Sequence, residues 1–226
     1  MDLQLNGKNV VITGGSKGIG KRVAHAFARE GANVAICARG EEALRETESE
    51  LLESNVKVYA ASCDIADAEA LNSFLDSAKD TLGSVDILVH NASALALGPS
   101  LEDWKSSIDV DLMAAARACD KVIPWMTAAG GGAILFVSST SGLECDPTPD
   151  YGYTAAKAAL ISFAKKLAVM HATQGIRANA IAPGSIEFEG GVWAYLKEAQ
   201  PDLYEMARSS IPAGRMGTPE EVADVA

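Results

Sequence analysis

The chain is poor in the residues that build metal centres. It has three histidines (His25, His90, His171) and four cysteines (Cys37, Cys63, Cys119, Cys145), scattered along its length. No pair has zinc-ligand spacing, so no metal is expected. The same scatter offers no disulfide framework, and reduced thiols in a cytoplasmic protein are the economical expectation. Long apolar runs are also missing. Nothing approaches the roughly 20 residues of a membrane span. Residues 1–6 lack the basic start and apolar run of a signal peptide. Basic residues are outnumbered, 19 Lys and Arg against 30 Asp and Glu, which leaves a formal charge of −11. That balance argues against nucleic acid or a membrane surface as partner, while local cations can still hold a small anion. There is no internal repeat and no linker rich in Pro, Gly or Ser, so residues 1–226 are expected to form one domain.

What the chain does have is alternation. Nearly continuous apolar runs at 8–13, 33–37, 56–60, 85–90, 133–137 and 176–181 read as strands buried on both faces. Helical stretches at 19–30, 41–54, 67–82, 101–128 and 153–172 lie between them. Such alternation predicts an α/β fold with a parallel sheet and right-handed crossovers. Two regions break the rhythm: a small-residue loop at 139–151, and an insert at about 184–212 with a helical stretch at 192–208. Both follow strand carboxyl ends, where open α/β sheets bind ligands. Near the end, Thr218-Pro219-Glu220-Glu221 reads as an N-cap, a proline at N1 and an acidic first turn. A helix start this well specified should pack against something.

The first strand runs into Thr13-Gly14-Gly15-Ser16-Lys17-Gly18-Ile19-Gly20. Glycines between a buried strand and a helix allow a tight turn and close approach to a pyrophosphate, and the helix start offers free N–H groups. The second strand ends in Ile36-Cys37-Ala38-Arg39, with no carboxylate until Glu41. A carboxylate there would bind the 2′-hydroxyl of NAD; Arg39, aided by Lys17, suits the 2′-phosphate of NADP(H) instead. Two solvated surface cations are the plainer alternative. Further on, Tyr153-Thr154-Ala155-Ala156-Lys157 sets a phenol and an ammonium one helical turn apart. A free tyrosine, with a pKa of about 10, is a poor base at neutral pH, and a fixed positive charge favours its phenolate. The spacing alone equally suits an ordinary surface helix.

Taken together, the motifs resemble those of the short-chain dehydrogenase/reductase family. The matching pieces are the loop from Thr13 to Gly20, Asp64, Asn91-Ala92-Ser93, Ser139, Tyr153 with Lys157, and Asn179-Ala180-Ile181-Ala182-Pro183-Gly184. They occur in family order across nearly the whole chain. The resemblance implies a Rossmann-type doubly wound parallel sheet flanked by helices. Six strands are readable, and the family's usual seventh is missing before Ala226, so the chain is expected to be truncated.

The resemblance also implies residue roles. Gly14, Ser16, Lys17, Gly18, Ile19, Gly20 and Arg39 would hold the cofactor phosphates. Asp64 with Ile65 would meet the adenine, and Asn91 with Ala92 would brace the sheet end. Pro183, Gly184 and Ile186 would position the nicotinamide. Ser139 would hydrogen-bond the substrate oxygen; Tyr153 would act as acid or base; Lys157 would hold the ribose and tune the tyrosine. Seven residues past Trp104 the family commonly has an Asn that helps hold a water beside the lysine. This chain has Asp111, which implies a shifted pH optimum. Phe188 stands where the family often has a Thr. The expected activity is NADP(H)-dependent interconversion of a secondary alcohol and a ketone of 3-oxoacyl, steroid-like or cyclic type, by a homo-oligomer (dimer or tetramer). A dinucleotide-binding sensor or scaffold with little catalysis is the alternative.

Overall fold

The computed structural model describes residues 2–145 and 147–226. Six strands form one parallel sheet: β1 (Asn9–Thr13), β2 (Asn33–Ala38), β3 (Val58–Ser62), β4 (Ile87–His90), β5 (Gly132–Val137) and β6 (Ile176–Ile181). Their order across the sheet is β3-β2-β1-β4-β5-β6. The chain winds outward from β1 to β3, then returns to place β4 on the other side of β1. Between β1 and β4 the winding reverses, which leaves a crevice at the carboxyl ends. Register lines those ends up: Thr13 pairs with both Cys37 and His90, and His90 with Phe136.

Side-chain alternation along β1 explains the two cores. Val10 and Ile12 face one way, where Val23 and Phe27 of α1 (Gly18–Arg29) and Leu44 and Leu51 of α2 (Glu41–Leu52) cover them. Val11 faces the other way, toward α3 (Ala68–Leu82), α5 (Ala114–Ala128) and α6 (Tyr151–His171), with Leu71, Phe74, Cys119, Phe136 and Leu160. Each fully buried Leu or Phe contributes about 1.5–3 kcal/mol, so both layers are needed. All four cysteines are free thiols, and Cys145 is exposed. Among the described residues no helix is long and apolar enough to cross a membrane.

Three elements differ from expectation. The third strand lies two residues later than 56–60. Asn33 accepts a hydrogen bond from the Lys57 N–H through its side chain (2.9 Å), and regular pairing starts only at Val34 with Val58. The helix expected over 101–128 is three pieces: α4 (Leu101–Ser107), a π-helical turn (Ile108–Met113) and α5. The insert helix is two, α7 (Val192–Ala199) and α8 (Pro201–Ser210). Pro201 disfavours the helical conformation for the residue before it, and Gln200 sits at φ −145°, ψ 67°. The last helix, α9 (Pro219–Ala223), carries a reciprocal capping box between Thr218 and Glu221. It packs on α1, with Arg22 Nε 2.7 Å from Glu220 and Ala223 in the core.

Candidate active site

The glycine loop leaves β1 at Thr13 and folds back on its neighbours. Cys37 accepts hydrogen bonds from the Gly14 and Gly15 N–H groups (2.9 and 3.1 Å) through its carbonyl. Gly14 has φ +70°, and a Cβ there would stand 2.8 Å from Ala92 Cα, so only glycine fits. Asn91 locks the turn: its side-chain amide donates to the carbonyls of Thr13 (3.2 Å) and Gly14 (3.0 Å). Beyond the loop, α1 begins with no side-chain cap and no acidic residue in its first turn. By contrast α3, α4 and α9 are capped by Asp67, Ser100 and Thr218. The start of α1 therefore keeps its N–H groups and its partial positive charge free for an anion.

A cleft of 470 Å³ opens above this loop. Gly14, Ser16, Lys17 and Ile19 line it from the loop, Arg39, Asp64 and Ile65 from the ends of β2 and β3, and Asn91 and Ala92 from the end of β4. Tyr153 and Lys157 close it from α6. Among the described residues neither Lys17 nor Arg39 has an ion-pair partner, whereas neighbouring Lys21 and Arg22 are paired with Glu50 and Glu220. Gly18 lines a second cleft of 620 Å³. The Phe188 ring stands between the two, packed so closely on Gly18 that a Cβ there would lie 2.5 Å from it. Gly20 lies behind the loop, against the Gly14 carbonyl and the Asn91 amide.

At the other end of the cleft the polar groups are buried. The Lys157 ammonium donates to the Val137 carbonyl (3.0 Å) and lies 3.0 Å from Asp111 Oδ1. It also sits 5.4 Å from the centre of the Tyr153 ring. Asp111 is fully buried, and its Oδ2 accepts from the Ala94 N–H (3.0 Å). Its Oδ1 makes no directed hydrogen bond, so the contact with Lys157 is Coulombic. His90, missed as a site residue by sequence reasoning, lies behind them. Burial and the nearby Lys157 charge push its pKa down to about 4, so the ring is neutral at pH 7. The only sequence signal was its place at a strand end, beside Asn91.

Other predicted residues sit at the rim. Ser138, not Ser139, lines the cleft, but its hydroxyl is committed to the Lys157 carbonyl (2.7 Å). Ser139 Oγ lies 3.3 Å from Ser141 Oγ and accepts from the Ser141 N–H. Pro183 accepts from the Thr140 N–H (3.0 Å), which ties Pro183 and Gly184 to this serine loop. Ile186 is held in a short parallel bridge with Gly217. The insert reaches the cleft through Phe188, but its helices do not line it: Tyr195 and Met206 are exposed, and Tyr204 is buried with its hydroxyl on Glu187.

A family model, short chain dehydrogenase, matches residues 8–196. The chain belongs to the short-chain dehydrogenase family. It is 33% identical to isoepoxydon dehydrogenase from Penicillium expansum, over 98% of this chain and 87% of that one. Among solved structures it resembles a 7α-hydroxysteroid dehydrogenase complexed with NADH and 7-oxo glycochenodeoxycholic acid. That match has a TM-score of 0.91 and 29% identity, over 99% of this chain and 87% of the other. An actinorhodin polyketide ketoreductase variant solved with NADPH gives a TM-score of 0.88 and 29% identity, over 96% and 88%. This short-chain dehydrogenase is therefore an oxidoreductase of alcohols and carbonyls, in a family that uses nicotinamide dinucleotides. Its uncapped α1 and its glycine cradle fit such a group.

Proposed function

We propose that the protein is an NADP(H)-dependent oxidoreductase that interconverts a secondary alcohol and a ketone. The observation that carries this is one cleft with cations unpaired among the described residues at one end and a phenol beside a buried ammonium at the other. Lys17 and Arg39 suit a 2′-phosphate, and β2 ends without the carboxylate that would favour NAD(H). The loop from Gly14 to Gly20 would cradle the pyrophosphate, Asp64 and Ile65 would meet the adenine, and Pro183, Gly184 and Ile186 would border the nicotinamide. When bound, the nicotinamide supplies the hydride chemistry.

The protein's part is to move one proton and to stabilise charge on the substrate oxygen. Tyr153 gives its phenolic proton to that oxygen in reduction and takes it back in oxidation. Ser139 donates a second hydrogen bond to the same atom. Lys157 lends the phenolate its positive charge and reaches the ribose, while Asp111 moderates that charge. The apolar groups that line the cleft, Leu95, Val110 and Phe188 among them, suit a bulky or apolar substrate, of 3-oxoacyl, steroid-like or cyclic type. We assign the whole chain to one catalytic domain with the insert at 184–212, acting in the cytoplasm as a dimer or tetramer.

Cofactor titration followed by NADPH oxidation over a carbonyl panel tests this proposal. Tighter NADPH than NADH binding, with turnover lowered by about 10²–10⁴-fold in Tyr153→Phe, is expected. Tighter NADH binding overturns the cofactor assignment. Cofactor binding with no turnover on any carbonyl favours a dinucleotide sensor instead.

A further inference from the structure

The π-helical turn at Ile108–Met113 interrupts what would otherwise be one long helix, and it does so where Asp111 meets Lys157. Such turns need an outside partner for backbone groups that leave the regular ladder. His90 supplies one. Its Nε2 lies 3.1 Å from the Asp111 carbonyl, and its Nδ1 lies 3.2 Å from Thr13 Oγ1. A carbonyl can only accept, so Nε2 carries the ring proton and Nδ1 accepts from the Thr13 hydroxyl. Thr13 Oγ1 in turn accepts from the Asn91 and Ala92 N–H groups (3.1 and 3.2 Å). Every polar atom of His90 and Thr13 is thus used, in a direct chain from the glycine loop to the backbone of Asp111.

We propose that His90 is a positioning residue, which fixes the π turn so that the Asp111 carboxylate is aimed at Lys157 and sets the charge felt by Tyr153. The inference rests on the oxidoreductase assignment above only for its consequence in turnover; the positioning itself is readable without substrate. Three observations support it. His90 is 1% exposed, and the edge of its ring packs against Phe136, so it cannot swing away cheaply. The second anchor of Asp111, the Ala94 N–H on Oδ2, holds the side chain but not the turn. Among the described residues Asp111 Oδ1 has no directed hydrogen bond, so its approach to Lys157 is set by the Ala94 contact on Oδ2 together with the backbone of the turn. The charged groups acting on His90 are Lys157 from α6 and Asp111 from the turn itself.

The test is an ultraviolet titration of the Tyr153 phenol in the cofactor-free enzyme, read as the difference between the parent and Tyr153→Phe. Asp111→Asn removes a negative charge beside Lys157, so phenolate formation moves to lower pH. His90→Leu is expected to move it the same way, and the double variant His90→Leu/Asp111→Asn is expected to match Asp111→Asn alone. His90→Gln, whose amide N–H can reach the Asp111 carbonyl, is expected to restore the parental titration. Thermal unfolding of each variant accompanies the titration, because a purely structural histidine lowers the melting temperature without moving the phenol. A His90→Leu titration that overlays the parent overturns the proposal. So do shifts that add in the double variant. Should His90→Leu fail to fold, Thr13→Val, which removes the hydroxyl that holds His90 Nδ1, takes its place. The inference then stands if Thr13→Val moves the phenol toward the Asp111→Asn titration and falls if it overlays the parent.

Discussion

The two sides of the switch point are built differently. On the β1–β2 side, the cleft is lined by backbone N–H groups and by two cations, Lys17 and Arg39, that have no ion-pair partner among the described residues. On the β4–β5 side, the groups are side chains taken out of water: Lys157 is 2% exposed, His90 1% and Asp111 not at all. The first arrangement is suited to holding a charged ligand that arrives and leaves with its own solvation. Its cations are cheap to keep in water, and their interactions weaken with salt. The second suits proton transfer, where a fixed charge in a poorly solvated site acts strongly on its neighbour. Losses on the first side should therefore appear in binding, and losses on the second in rate and pH dependence.

Tyr153→Phe is the sharpest way to break that contrast. It should lower kcat by about 10²–10⁴-fold, while the cofactor dissociation constant stays within about twofold. An equal loss in both would show that the two sides are not separable. Next comes acid stability. His90 stays neutral in the folded state down to about pH 4 but charges near 6.5 when unfolded. Between those values the unfolded chain binds more protons, so stability falls as pH falls, by about 3 kcal/mol at most. Urea unfolding at several pH values should show that slope, flattened in His90→Gln. Arg39→Ala is expected to weaken NADPH binding by about 10- to 150-fold, the worth of a charge-assisted hydrogen bond, and to leave NADH nearly untouched. Fluorescence titration at two salt concentrations checks both. Asp111→Asn should have the mildest effect: retained turnover with a displaced pH–rate profile. An unchanged profile would remove Asp111 from the proton-transfer unit.

Much of this contrast was legible in the sequence, and the reasons are local. The glycine loop announces itself because the turn at Gly14 admits no side chain, and Thr218 with Glu221 announces α9 because both members of the capping box lie within four residues. The Tyr153–Lys157 pair follows from helical spacing. What escaped has a distant cause. The π turn depends on His90, 21 residues away from Asp111. The late start of β3 depends on Asn33, 24 residues from Lys57. Phe188 was located by count, but nothing nearby in sequence showed that its ring would rest on Gly18. Periodicity cannot register contacts of that range.

The wide turn before α5 has a mechanical meaning as well. An α-helix advances about 100° per residue, so inserting or deleting one residue rotates everything beyond it by that angle. The π turn between Ile108 and Met113 absorbs such an offset within the helix. Letting the ladder close into regular α-helix with every residue kept would swing the whole of α5 by about 100° relative to α4. Cys119, Val122 and Met126 would then leave the sheet for solvent. The turn that carries a carboxylate to Lys157 is thus also the phase setting for α5's share of one core layer, which ties the geometry of the site to the packing of the fold.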